Sequence, residues 1–130
     1  MEILRWKIRI SVLWIFMAVA MSAHSVLAFM EPGAIEEIAE MAMGPGMMLF
    51  MALFWWVPLV MAFLSVTLKD LANRWANMVL GIVFTLLNIW HLIMHLAEAP
   101  SVHQILIIGS TVVVTALIAW YALKWPKQEV

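Results

Sequence analysis

Cysteine is absent from this 130-residue chain. That removes disulfides, iron–sulfur clusters, thiolate zinc sites and thiol catalysis, so a bound metal could use only His, Met, carboxylate or carbonyl ligands. Charge is scarce as well. Charged residues make up 12% of the chain and apolar ones 66%, where soluble domains run near a quarter and about half. Lipid is the solvent that composition suits. A phosphate-binding loop, a dinucleotide fingerprint and a nucleophile–base pair are all lacking, which argues against a conventional hydrolase or dehydrogenase. Nothing basic enough to bind nucleic acid lies outside the apolar segments, and no internal repeat or low-complexity tract is present.

What the chain does contain is four apolar runs of membrane-crossing length. A bilayer core of about 30 Å takes about 20 helical residues, because only bonds within the segment satisfy the backbone there. The expected fold is an all-α, four-transmembrane-helix bundle in one domain over 1–130, with spans at about 8–29, 47–68, 75–96 and 105–123. Between the first two lies "MEPGAIEEIAEMAMGPG", in which Pro32-Gly33 and Gly44-Pro45-Gly46 are breakers. Residues 34–43 are expected to form an amphipathic surface helix, with Ile35, Ile38 and Ala42 on one side.

Lysine and arginine are missing from the first and third connections. They occur as Arg5, Lys7 and Arg9 in the first tail, Lys69 and Arg74 in the second connection, and Lys124 and Lys127 in the last tail. The base-free connections carry Glu31, Glu36, Glu37, Glu40 and Glu98 instead. Basic residues stay on the cytoplasmic side, so the expected topology in a plasma membrane has both termini cytoplasmic and a short acidic segment outside. Trp6, Trp75, Trp120, Tyr121 and Trp125 then fall at the inner headgroups as an aromatic belt. A rival reading makes the first 28 residues a signal peptide cleaved near Ala28. Its apolar run exceeds the usual length of about 7–15 residues, so the first helix is expected to be retained, and intact mass decides.

The polar residues of the spans are few and ordered. At about 100° per residue, Asn77, Gly81, Phe84, Asn88, His91, His95 and Glu98 share one stripe of the third span. A polar group facing hydrocarbon costs several kcal/mol unless paired, so this stripe is expected to face the other helices. Matching faces are Trp14, Met17, Met21 and His24 on the first span, and Met47, Met51, Phe54, Pro58, Met61 and Ser65 on the second, with Pro58 expected to kink it. The fourth offers His103 at its start, then Gly109, Ser110, Thr111 and Thr115, small residues suited to close helix approach.

All four histidines fall toward the end expected to lie outside. His24 and His91 each lie about five residues from the ends of their spans, roughly 7 Å deep at ~1.5 Å per residue, and are therefore level. In "HLIMH", His91 and His95 stand one turn apart and could chelate one ion. The Glu that a zinc-protease motif places after its first histidine is replaced by Leu92. The leading expectation is an outer-leaflet transition-metal site, with His91 and His95 as principal ligands, His24 across the bundle, and Glu98 or His103 completing the shell. Zinc or copper(II) suits imidazole and carboxylate, while Met21, Met47, Met51 and Met94 nearby favour copper(I).

Other readings stand beside it. Histidines tolerate the wet interface and methionines are adaptable core fillers. Haem b between His24 and His91 or His95 is conceivable. A proton path is disfavoured because below Asn88 only Thr85, Asn77 and Ser65 are polar among the packed helices, and no charged residue lies deeper in the spans than Arg9 at the edge of the first. A subunit without chemistry of its own, acting as a homo-oligomer or within a larger membrane complex, would use the stripe of Asn77, Gly81 and Asn88 for helix packing.

The stretch "FLSVTLKDLANRWANMVLG", the preceding Pro58, "EPG" at Glu31–Gly33 and the closing "AWYALKW" resemble an uncharacterised family of small four-span prokaryotic membrane proteins, known as a domain of unknown function. The resemblance implies a four-helix fold and a bacterial or archaeal origin. It implies no activity, and "HLIMH" is not one of the marks that carry it.

Overall fold

In a computed structural model, which describes residues 1–98 and 100–126, the chain is all-helical. Four long helices, α1 (Glu2–Phe29), α3 (Pro45–Thr67), α4 (Asp70–Glu98) and α5 (Val102–Leu123), accompany one short one, α2 (Ala34–Glu40). Each long helix is apolar and long enough to cross a membrane. Lys127 lies outside the described residues.

The helix ends follow from local chemistry. Proline opens α3 as its first residue, where its missing N–H costs nothing, with Gly44 as N-cap. Gly33 takes φ 80° to start α2, a left-handed conformation that suits glycine. The surface helix is shorter than the 34–43 expected. Met41 turns extended at ψ 98°, and the Gly44-Pro45-Gly46 breaker beyond it disfavours further helix. By contrast, α1 and α4 begin earlier than the hydropathy suggests. The polar residues that end a hydrophobic run do not end a helix, since the long side chains of Arg5, Lys7 and Arg9 can reach toward water from a helical backbone.

Neighbours in sequence are not always the closest neighbours in space. Helix α1 packs along both α3 and α5, and α5 packs most extensively on α4. Helices α3 and α4, joined by a tight turn, barely touch. The α4–α5 contact is close because Gly81 faces the backbone of Ala119. Gly109, expected to serve such an approach, has nothing within 4 Å of where a Cβ would stand. It lies away from the crossing.

One end of the bundle gathers the basic residues. Lys7 Nζ donates to the Leu68 carbonyl at 2.9 Å and pairs with Asp70 at 2.8 Å. Trp6 Nε1 donates to the Tyr121 carbonyl at 2.7 Å, and the two rings meet edge to face. These contacts bring the start of α1, the α3–α4 turn and the end of α5 together.

The stripe on α4 turns inward: Asn77, Gly81, Phe84 and Asn88 are all buried, and Asn73 with them. Asn77 Oδ1 accepts from Trp14 Nε1 at 2.6 Å and from Ser65 Oγ at 3.1 Å, while its Nδ2 donates to Asn73 Oδ1 at 2.6 Å. Asn73 Nδ2 then donates to the Ser65 carbonyl at 2.7 Å. This closed network ties α1, α3 and α4 where α3 and α4 have little else in common. Asn77→Leu removes the acceptor for a buried indole N–H and the donor for Asn73. Bonds between membrane helices contribute about 0.6 kcal/mol on average and up to about 1.7, so a loss of roughly 2–3 kcal/mol is expected. Unfolding in detergent would measure it, and unchanged stability would mean that water or lipid replaces the network.

Candidate functional site

The histidines occupy the opposite end, where the acidic connections lie. His24, on the last turns of α1, is half-buried. Its Nδ1 lies 2.7 Å from Gln104 Oε1, and Gln104 Nε2 donates to the His24 carbonyl at 3.1 Å. These two bonds fix the tautomer of the neutral ring. A backbone carbonyl can only accept, so the amide nitrogen must face it; Oε1 therefore faces Nδ1, and Nδ1 carries the proton. In that neutral ring the remaining nitrogen, Nε2, presents a lone pair. Partners of this kind orient the imidazoles of metal sites.

Gln104 is nearly fully buried and is absent from the expected ligand set, which includes its neighbour His103. A signal was present: Gln104, Ile108, Thr111, Thr115 and Ile118 recur at spacings of four and three, and all are buried. That periodicity marks the inward face of α5.

His91 meets His24 with ring centroids 4.8 Å apart and planes at 77°. Among the described residues, neither nitrogen of His91 and no Nε2 bond of His24 is accounted for by a protein hydrogen bond. The expected level placement of these two rings is therefore present.

The rest of the expected cluster disperses. His95 turns to Ser101 Oγ at 3.3 Å, in the tight connection leading to α5. His103 lies on the exposed side of the first turn of α5 and pairs with Glu31 at 3.2 Å. Glu98 is exposed at the end of α4. Among the described residues, no three His, Asp or Glu side chains converge closely enough to hold an ion. The five-ligand set of His24, His91, His95, Glu98 and His103 is thus not assembled; it reduces to one pair. The physical reason is that each peripheral histidine finds another oxygen partner, His95 one in its own connection and His103 one in the connection that follows α1.

The pair sits in a cleft of about 230 Å³ between α3 and α4, floored by α1. The floor is Met21, His24 and Ser25; α3 supplies Phe50, Met51, Phe54 and Trp55, and α4 supplies Leu87, Trp90 and His91. Of the four methionines singled out in the sequence, Met21 and Met51 line this cleft, and Met47 and Met94 do not. Below it, Phe54 packs on Phe84 at 5.2 Å and Phe84 on Trp14 at 5.5 Å. This aromatic column closes the cleft toward the bundle centre. Asn88 lies one turn from His91 but reaches α5 instead, with long contacts of 3.4 Å to the Thr111 carbonyl and to Thr115 Oγ1.

No family model, curated protein or solved structure matches the chain.

Proposed function

We propose that this is a prokaryotic plasma-membrane protein with both chain ends in the cytoplasm, and that it holds a soft transition-metal ion, copper(I) first, in the outer-leaflet cleft. His24 and His91 are its nitrogen ligands, and the Met21 and Met51 thioethers are the sulfur donors beside them. The observation that carries this reading is the ring spacing. An imidazole nitrogen stands about 1.1 Å from its ring centre and about 2.0 Å from a bound metal. Two centroids 4.8 Å apart therefore suit a shared ion with an N–metal–N angle of roughly 100°. Ligands on opposite faces of a haem would need centroids about 6.2 Å apart by the same bond lengths, so the spacing favours a bare ion over haem b.

Charge selects among ions. Every donor in the cleft is neutral, and an uncompensated charge in apolar surroundings is costly in proportion to its square, which favours a monovalent ion. Thioethers favour copper(I) over zinc. The acidic residues of the base-free connections would concentrate cations at the cleft's end of the bundle. Four helices long and apolar enough to cross a bilayer support the placement in a membrane. A second reading, an accessory subunit of a larger assembly, draws support from α3, which leans mainly on α1 and leaves Trp56, Leu59 and Phe63 exposed.

Protein purified in detergent and loaded with copper(I) is expected to retain one copper per chain against a competing chelator. His95→Asn and His103→Asn should retain it equally. Failure of the unaltered protein to bind copper would overturn the metal reading. The absence of cysteine makes the topology easy to test. Ala39→Cys should react with an impermeant maleimide on intact cells, and Leu71→Cys only after permeabilisation; the reverse pattern would invert the orientation.

A further inference from the structure

The metal pair does not account for the walls of the cleft. Four aromatic side chains, Phe50, Phe54, Trp55 and Trp90, surround it, and its long seam is where α3 and α4 barely touch. Phe50, Met51 and Trp90 on its rim are exposed, so in a bilayer the cleft opens sideways into hydrocarbon. A molecule reaching it from there must itself be lipid-soluble.

Size and polarity narrow the class. A cavity of about 150 Å³ holds one benzene, so about 230 Å³ suits one substituted ring and excludes a fused macrocycle. Aromatic walls favour an aromatic guest through edge-to-face and offset stacking, whereas an acyl chain would gain nothing specific from them. The polar end of the cleft makes a definite demand. Gln104 holds the His24 proton on Nδ1, leaving Nε2 as an acceptor that calls for a donor. The guest should therefore carry a hydroxyl on its ring.

We infer that the α3–α4 cleft binds the head ring of a lipid-borne hydroxyaromatic of the quinol type, with its hydroxyl donating to His24 Nε2 and its apolar tail leaving between the helices. The inference shares the cleft with the metal reading but does not rest on the ion.

The test uses the full chain in nanodiscs, stripped of metal by chelator, and three probes: a decyl-tailed benzoquinol, its dimethyl ether and 1-decanol. Binding is read from quenching of tryptophan fluorescence, since Trp55 and Trp90 lie in the walls. Saturable binding of one quinol per chain is expected, with the ether about tenfold weaker for want of one hydrogen bond. Leu87→Trp, which fills the cleft without altering either imidazole, should weaken quinol binding at least tenfold. His24→Phe provides a second variant, in which the preference for quinol over ether should vanish. Equal binding of quinol and ether to the unaltered protein, or decanol binding as well as the quinol, would overturn the proposal. Copper loading is scored separately: copper without quinol sinks only this inference, and quinol without copper sinks only the metal reading.

Discussion

Replacing His24 or His91 by phenylalanine is expected to lower copper(I) affinity by roughly a hundredfold or more, since losing a ligand should exceed the 10–100-fold typical of an outer-shell partner. Phenylalanine preserves the ring contact between α1 and α4 and suits an apolar cleft, so the melting temperature should hold while the ion is lost. Gln104→Leu belongs on the same scale one step down. It frees the His24 ring to carry its proton on either nitrogen and should cost about 10–100-fold, whereas Gln104→Glu keeps an acceptor toward Nδ1 and should cost less. Chelator competition on the four variants gives the order. If His24→Phe binds copper as tightly as the unaltered chain, the two imidazoles are packing groups and the metal assignment falls.

The second large effect concerns the scaffold. A Cβ on Gly81 would stand 2.9 Å from the Ala119 nitrogen and 3.1 Å from its Cα. Those are backbone atoms, which cannot swing aside as a side chain would, so α4 and α5 must part. Gly81→Ala is expected to destabilise the bundle by about 1–3 kcal/mol, and Gly81→Leu by more, given what overpacking costs in close-packed interiors. Gly109→Ala is the control. Its Cβ meets nothing within 4 Å, and a change within about 0.5 kcal/mol is expected, as for unconstrained surface positions. Unfolding in detergent separates the two, and equal effects would mean that glycine acts through backbone flexibility instead of the close crossing. Because α4 also carries His91, parting it from α5 should shift that ring against His24, and Gly81→Leu should weaken copper binding as a secondary consequence.

Much of this organisation could be read from residue order. Hydropathy located the four long helices because a helix in lipid must satisfy its own backbone. The inward turn of Asn77, Gly81, Phe84 and Asn88 followed from their shared face, and the level of His24 and His91 from counting turns. The dispersal of the histidines could not be read in that way. "HLIMH" places two rings on one face of α4, yet it does not say that Ser101 will engage one of them. The same holds for His103, whose partner Glu31 lies 72 residues away.

By itself, then, the order of residues determined the helical class, the four membrane-length spans, the separation of acidic from basic connections, and which face of each helix is polar. Those properties depend on single segments and on the solvent around them. Only the tertiary structure decided that α4 lies against α5 more than α3, that Gln104 sets the tautomer of His24, and that two of the four histidines share an aromatic cleft. Such pairings depend on the rotation and distance of whole helices, which are set by contacts between remote positions such as Gly81 with Ala119 and Trp14 with Asn77.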